Sequence, residues 1–253
     1  MTGGSIAFDR IAQSYDATRG GMERGREIAP VIHAALPDGP ALEVGVGTGL
    51  VAAALGELGR TVVGIDLSVP MLTRAAARLP GRVAAGDAHR LPVGTGAVAG
   101  AYLVHVLHLV GDVPATLGEL HRVLRDGGSL ATTVRSPDPP RQSDVADVLG
   151  ELLAAFPRAT DRADDADLVE DAARAAGFEA VGRFEVRRTG YQTTPREVAD
   201  RVVERSWSWM WDIPPDVWRP VADPIVARLR ALPDQDRPRV SGEIDPVLTF
   251  RRV

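Results

Sequence analysis

The sequence predicts an α/β fold, a doubly wound and mostly parallel sheet. Three observations carry this. Apolar runs of strand length alternate with helical patterns through the first half of the chain. A glycine-rich turn, Gly45-Val46-Gly47-Thr48-Gly49, joins the first strand to a helical segment. The next strand ends in an acid, Asp66. Alternating strands and helices build parallel sheets covered on both faces. Glycines at such a turn let a ligand lie against the backbone at the carboxyl ends of the strands.

In chain order, Phe8, Ile11, Ala12 and Tyr15 recur at helical spacing. A helix from Glu23 to Leu36 ends at Pro37-Asp-Gly-Pro. The first strand is Ala41 to Val46, and the helix after the turn covers about Leu50 to Leu58. The second strand, Thr61 to Asp66, is followed by Ser68 as a helix cap and Pro70 in the first turn. A third strand leaves through Gly86-Asp87-Ala88. The fourth, Val98 to Val106, is followed by His108. Within it, Gly100-Ala101-Tyr102 has no evident reading. A helix from Val113 to Arg125 closes at Asp126-Gly-Gly, and the fifth strand is Ser129 to Val134.

Beyond the stiff Ser136-Pro-Asp-Pro-Pro140 linker come an amphipathic segment (about Ser143 to Phe156), a helix stopped by Gly177 and an alternating sixth strand, Phe178 to Arg188. Thr194-Pro195-Arg-Glu197 reads as a capped helix start. That helix is expected to carry Val203, Trp207, Met210 and Trp211 on one face. A second helix runs from about Asp216 to Leu232. The last strand is Ile244 to Arg252, with Pro246 placing it near a sheet edge. The chain is thus expected to be one domain over 1–253, with an N-terminal helical segment at 5–36 and helical cap insertions at about 136–165 and 190–240.

Composition narrows the chemistry. The chain has 253 residues and a net charge of −5, which disfavours a nucleic-acid partner. It has no Cys, which excludes disulfides, thiolate nucleophiles and Cys-ligated metals. It has no Lys, which excludes Schiff-base chemistry and the Gly-Lys-Ser/Thr phosphate loop. His105 and His108 belong to no metal-binding pattern, so no metal is expected. No signal peptide or membrane span is read, which points to the cytoplasm, with no membrane partner. Absence of Asn and Lys beside abundant Ala, Arg and Gly suggests a GC-rich bacterial genome.

The motifs follow one another as Glu43-x-Gly45-x-Gly47-x-Gly49, Asp66-x-Ser68-x-x-Met71-Leu72, Gly86-Asp87-Ala88-x-x-Leu91-Pro92 and Arg122-Val-Leu-x-x-Gly-Gly128. In this order they resemble the class I S-adenosylmethionine (SAM)-dependent methyltransferases, in particular the small-molecule, ubiquinone- and menaquinone-biosynthesis-like type 11 group. The resemblance implies a Rossmann-like seven-stranded sheet with an antiparallel last strand, and SAM as cofactor with S-adenosylhomocysteine as product. It implies that Glu43, Gly45, Val46 and Gly47 bind the cofactor at the turn. Asp66 would take the ribose hydroxyls, Leu67 and Met71 would flank the adenine, and Asp87 with the Ala88 amide would read the adenine edge. Val104 and His105 would line the cofactor past the fourth strand. The N-terminal pattern Phe8-Asp9-x-x-Ala12-x-x-Tyr15-Asp16-x-x-Arg19 resembles a segment in which the Tyr and Arg close over the methionine end. Arg125-Asp126 departs from the family's usual Lys-Pro.

The expected function is methyl transfer to a small or medium organic acceptor at O, N or C. In-line positioning supplies much of the rate. His108 is the candidate base, and Trp207 and Trp211 are candidate acceptor contacts. Two alternatives stand beside it. One is an NAD-dependent oxidoreductase on the same topology, which the shortened glycine spacing disfavours. The other is a SAM-binding protein without turnover. The acceptor and the oligomeric state are not legible in the sequence.

Overall fold

The computed structural model describes residues 8–9, 12, 15–18, 20–136, 143–156, 163–188, 192–211, 213–240 and 243–253. They divide between two compact units. The first takes in the chain up to Pro137, Thr160–Arg187 and Ile244–Val253; the second takes in Asp138–Ala159 and Arg188–Glu243.

The first unit opens with the short helix α1 (Tyr15–Thr18) and α2 (Gly21–Ala35). The alternating core follows: β1 (Ala41–Val44), α3 (Leu50–Glu57), β2 (Val62–Asp66), α4 (Val69–Arg78), β3 (Val83–Ala85), β4 (Val98–Leu103), α5 (Val113–Val123) and β5 (Leu124–Thr133). The strands form one seven-stranded sheet in the order β3-β2-β1-β4-β5-β9-β6, with β6 spanning Phe178–Arg188 and β9 spanning Glu243–Arg252. The strands β1 to β5 pair in parallel, and β9 runs antiparallel to β5. Strand order reverses between β1 and β4, so the switch point of the sheet lies beside the glycine turn.

Both faces are covered. Ile28, Ile32, Val51, Leu55 and Leu72 from α2, α3 and α4 bury one face, together with Leu79 just past α4 and Tyr102. Leu117, Leu120 and Val123 of α5, and Val169 and Ala173 of α7 (Ala166–Ala175), bury the other against Leu42, Val44, Leu103 and Leu130. Leu42, Leu55 and Leu117 are fully buried, and each contributes roughly 1.5–3 kcal/mol to the core.

Two sequence expectations are corrected here. Pro246 does not put the last strand at an edge, because β9 lies between β5 and β6. The proline is tolerated because it precedes the first register pair with β5, Val247 opposite Thr133. Toward β5 it only has to accept, and its carbonyl takes the Val134 N–H at 2.9 Å. The fourth strand also stops earlier than expected, at Leu103, because His105 adopts a left-handed backbone with φ 56°.

The second unit holds α6 (Asp144–Ala155), the two-stranded β7 (Gln192–Thr193) and β8 (Arg239–Val240), α8 (Pro195–Val203) and α9 (Pro215–Ala231). The capping box at α8 forms as expected: Glu197 N–H donates to Thr194 Oγ1 at 3.1 Å and Thr194 N–H to Glu197 Oε2 at 2.9 Å. The helix then ends at Val203, before the tryptophans. Arg205 turns left-handed (φ 52°), and Trp209 and Met210 sit in a 3₁₀ turn, Ser208–Met210. Val203 is exposed while Met210 is buried, so the expected single helical face does not form. Instead the unit's core joins Leu152, Val198, Val202, Met210, Trp218, Ile225 and Leu229.

Candidate functional site

The site is built at the carboxyl ends of β1, β2 and β3. Gly45, Gly47 and Gly49 all have positive φ (74°, 55° and 81°), the left-handed region that side chains disfavour. Gly45 is glycine for a second reason: an added Cβ would stand 2.4 Å from Val106 Cγ2. A Cβ on Gly47 would meet nothing within 4 Å. That position therefore faces open space.

Asp66 ends β2 and is fixed by two backbone donors. Gly47 N–H donates to its Oδ2 at 2.7 Å and Ser68 N–H to its Oδ1 at 2.9 Å. Burial pushes its carboxyl above the usual range, against the bonds from Ser68, Gly47 and Leu67, with Asp9 adding to the rise. An ionised carboxylate accepts at about four lone-pair positions. The bonds from Gly47, Ser68 and Leu67 leave part of that capacity free to accept from a ribose hydroxyl. Ser68 caps α4 as expected, accepting from Met71 N–H at 3.3 Å.

Next to it, Asp87 is exposed past β3. Its Oδ1 accepts from His89 N–H at 2.9 Å and lies 2.7 Å from His89 Nδ1, which fixes the carboxylate beside the partly buried Ala88. Leu67 is 49% exposed, whereas Met71 is 2% exposed and belongs to the core. Of the expected adenine-flanking pair, only Leu67 presents a surface. Val46 is also buried, against Gly64, while Val104 is partly exposed.

Glu43 lies beneath the turn and is 3% exposed. Its Oε2 accepts the Tyr102 hydroxyl at 2.9 Å. Burial raises its pKa to about 8, against the bonds from Tyr102 and the Ala52 backbone, with Asp66 adding to the rise and Arg24 opposing it. The same burial raises the Tyr102 hydroxyl well above its ordinary value. In this arrangement Glu43 supports the turn and the start of α3 from below, with almost no surface of its own to offer a cofactor. Tyr102, which the sequence left without a reading, is its partner.

Past β4, the two histidines engage different carboxylates. His105 donates its backbone N–H to Thr133 Oγ1 at 2.7 Å, and its Nε2 lies 3.3 Å from Asp245 Oδ2. His108 sits in a 3₁₀ turn, with Nδ1 3.9 Å from Asp164 Oδ2. Both rings are partly exposed. At the N-terminal segment, Tyr15 is partly buried and meets Phe8 edge-on, with ring centroids 6.4 Å apart. Arg19 lies outside the described residues. In the second unit, Trp207 is partly buried, and Trp211 Nε1 donates to the Arg205 carbonyl at 2.7 Å. Among the described residues, no group of three or more His, Asp or Glu is placed to hold a metal, and no helix is long and apolar enough to cross a membrane.

A doubly wound sheet with this strand order, a glycine turn at its switch point and a carboxylate ending β2 is the arrangement expected of the class I SAM-dependent methyltransferases. Residues 42–132 match the methyltransferase type 11 family, described as a methyltransferase domain. A demethylmenaquinone methyltransferase of Roseiflexus castenholzii is 37% identical over 49% of this chain, and the match covers 56% of that relative. One from Mycolicibacterium paratuberculosis is 34% identical over 60% of this chain and 67% of the relative. A solved structure from Thermotoga maritima, a SAM-dependent methyltransferase described as a possible histamine N-methyltransferase, superposes with a TM-score of 0.57. It covers 98% of this chain and 99% of that one at 19% identity, which speaks to the fold alone. The chain belongs to the type 11 group of class I SAM-dependent methyltransferases.

Proposed function

We propose that the chain transfers a methyl group from SAM to a small or medium organic acceptor. The observation that carries this is the Asp66 carboxylate, held at the end of β2 by the N–H of Gly47, the residue whose missing Cβ leaves the space above the turn open. SAM bound here supplies a sulfonium-activated methyl group. Asp66 binds the ribose hydroxyls, Gly47 admits the ligand to the backbone of the turn that Gly45 lets pack on Val106, and Asp87 with the Ala88 amide takes the adenine edge beside Leu67. Tyr15 and Arg19 take the methionine end.

On the acceptor side, two relatives are named for demethylmenaquinone, an apolar aromatic class of molecule. We assign apolar contacts with the acceptor to Trp207 and Trp211. Where the acceptor must lose a proton, His108 is the base, since an imidazole titrates near neutrality. The bacterial relatives support a bacterial source, and the sequence supports a cytoplasmic compartment with no resident metal and no membrane partner.

The test is calorimetric titration of the full chain with S-adenosylhomocysteine and, separately, NADH. We expect the first to bind and Asp66→Ala to weaken it at least tenfold. NADH binding without S-adenosylhomocysteine binding would replace this reading with the oxidoreductase one. Incubation with SAM and a panel of apolar aromatic acceptors then separates an enzyme, which forms S-adenosylhomocysteine, from a binding protein, which leaves SAM intact.

A further inference from the structure

Two acids of the N-terminal segment reach opposite ends of one helix. Asp9 Oδ1 accepts the hydroxyl of Ser68, the N-cap of α4, at 2.6 Å. Asp16, in α1, accepts from Arg74 Nη2 at 3.1 Å and Arg78 Nη2 at 2.7 Å, both in the C-terminal half of α4. Its other oxygen accepts the Thr48 hydroxyl at 2.5 Å. Thr48 stands between Gly47 and Gly49 and is 1% exposed. Arg78 closes the circuit by donating from Nη1 to the Thr48 carbonyl at 2.8 Å.

One carboxylate thus joins the N-terminal segment, the glycine turn and α4. Its side chain is 14% exposed, so the pairs with Arg74 and Arg78 (37% and 26% exposed) are better shielded from solvent than ordinary surface ion pairs. Charge-assisted bonds are about twice as strong as neutral ones. Burial opposes the Asp16 charge, but the bonds from Thr48, Arg78 and Arg74 outweigh it and hold the carboxyl below its usual range. Tyr15 is the neighbouring residue in the same helix.

We propose that Asp16 is a positioning residue for the amino-acid end of the cofactor. By bonding Thr48 and α4 it ties the helix that carries Tyr15, assigned above to the methionine end, to the glycine turn. Asp66, which accepts the Gly47 N–H of the same turn, serves the nucleoside. This rests on the SAM reading above, and it divides the cofactor's contacts between two acids.

The test compares two ligands on the full chain by calorimetry: S-adenosylhomocysteine, and 5′-methylthioadenosine, which has the nucleoside and sulfur but no amino-acid tail. Asp16→Asn should weaken S-adenosylhomocysteine at least tenfold and change methylthioadenosine less than threefold. Asp66→Ala should weaken both. Thr48→Val, which removes one bond and keeps both arginine pairs, should follow Asp16→Asn to a smaller degree and serves if Asp16→Asn does not fold. Equal loss of both ligands, or loss of neither, in the folded variant would mean that Asp16 only stabilises the fold, and would overturn the proposal. Binding of neither ligand by the unsubstituted chain would instead remove the SAM reading, and this inference with it.

Discussion

The Tyr102 hydroxyl donates to Glu43 Oε2 at 2.9 Å, a bond that joins adjacent strands β1 and β4 beneath the glycine turn. The pair is fully enclosed, and burial raises the Glu43 pKa to about 8. In an unfolded chain the same carboxyl titrates near its ordinary value of 4.5.

The sign of the pH effect follows. The native state binds the Glu43 proton more tightly than the unfolded state does. Its contribution to stability is therefore complete below about pH 4.5 and is lost as pH rises through about 8. Glu43→Gln keeps an acceptor for Tyr102 and cannot ionise. Relative to the unsubstituted protein, it should gain stability between pH 5 and 8, by up to several kcal/mol at roughly 1.4 kcal/mol per pKa unit. Denaturant unfolding of both proteins across that range measures it, and parallel pH profiles would show that Glu43 does not titrate there.

Gly45 and Gly47 share a backbone conformation but not a surrounding. Gly45→Ala forces a Cβ to within 2.4 Å of Val106 Cγ2, and it should destabilise the fold by about 2 kcal/mol or more. Gly47→Ala meets no atom and should cost only about 1 kcal/mol for its left-handed φ. Its methyl group would occupy the ligand's side of the turn, so S-adenosylhomocysteine affinity should fall at least tenfold. Thermal melts and calorimetry on the two variants separate these effects.

His108→Ala should leave S-adenosylhomocysteine affinity unchanged and lower kcat by about 100-fold, the lower end of what general-base catalysis contributes. An unchanged kcat would remove His108 from the chemistry and leave its approach to Asp164 a structural one.

Trp207→Ala and Trp211→Phe should both spare cofactor binding and raise the acceptor KM. Trp211→Phe also removes the indole N–H from the carbonyl of left-handed Arg205, so the helical unit should lose about 1 kcal/mol. Loss of S-adenosylhomocysteine affinity with unchanged acceptor KM would take both residues out of acceptor recognition.

The order of strands and helices, the glycine turn and the acid ending β2 were all legible in the sequence. Each is a local signal: alternation and helical spacing report which face is buried, and a glycine or a cap reports the backbone it sits in. So the fold, Asp66, Gly47, Ser68 as a cap and the Thr194–Glu197 box could be read from neighbours in the chain. The tertiary structure alone decided what meets across long separations. Tyr102 lies 59 residues from Glu43, and Arg78 lies 62 from Asp16. No periodicity connects such residues, because their partnership depends on which strands pair and which helix covers them. For the same reason the burial of Met71, the interior place of β9 and the break between Val203 and Trp207 had to come from the structure. Packing of distant apolar surface decides them, not the preferences of the residues themselves.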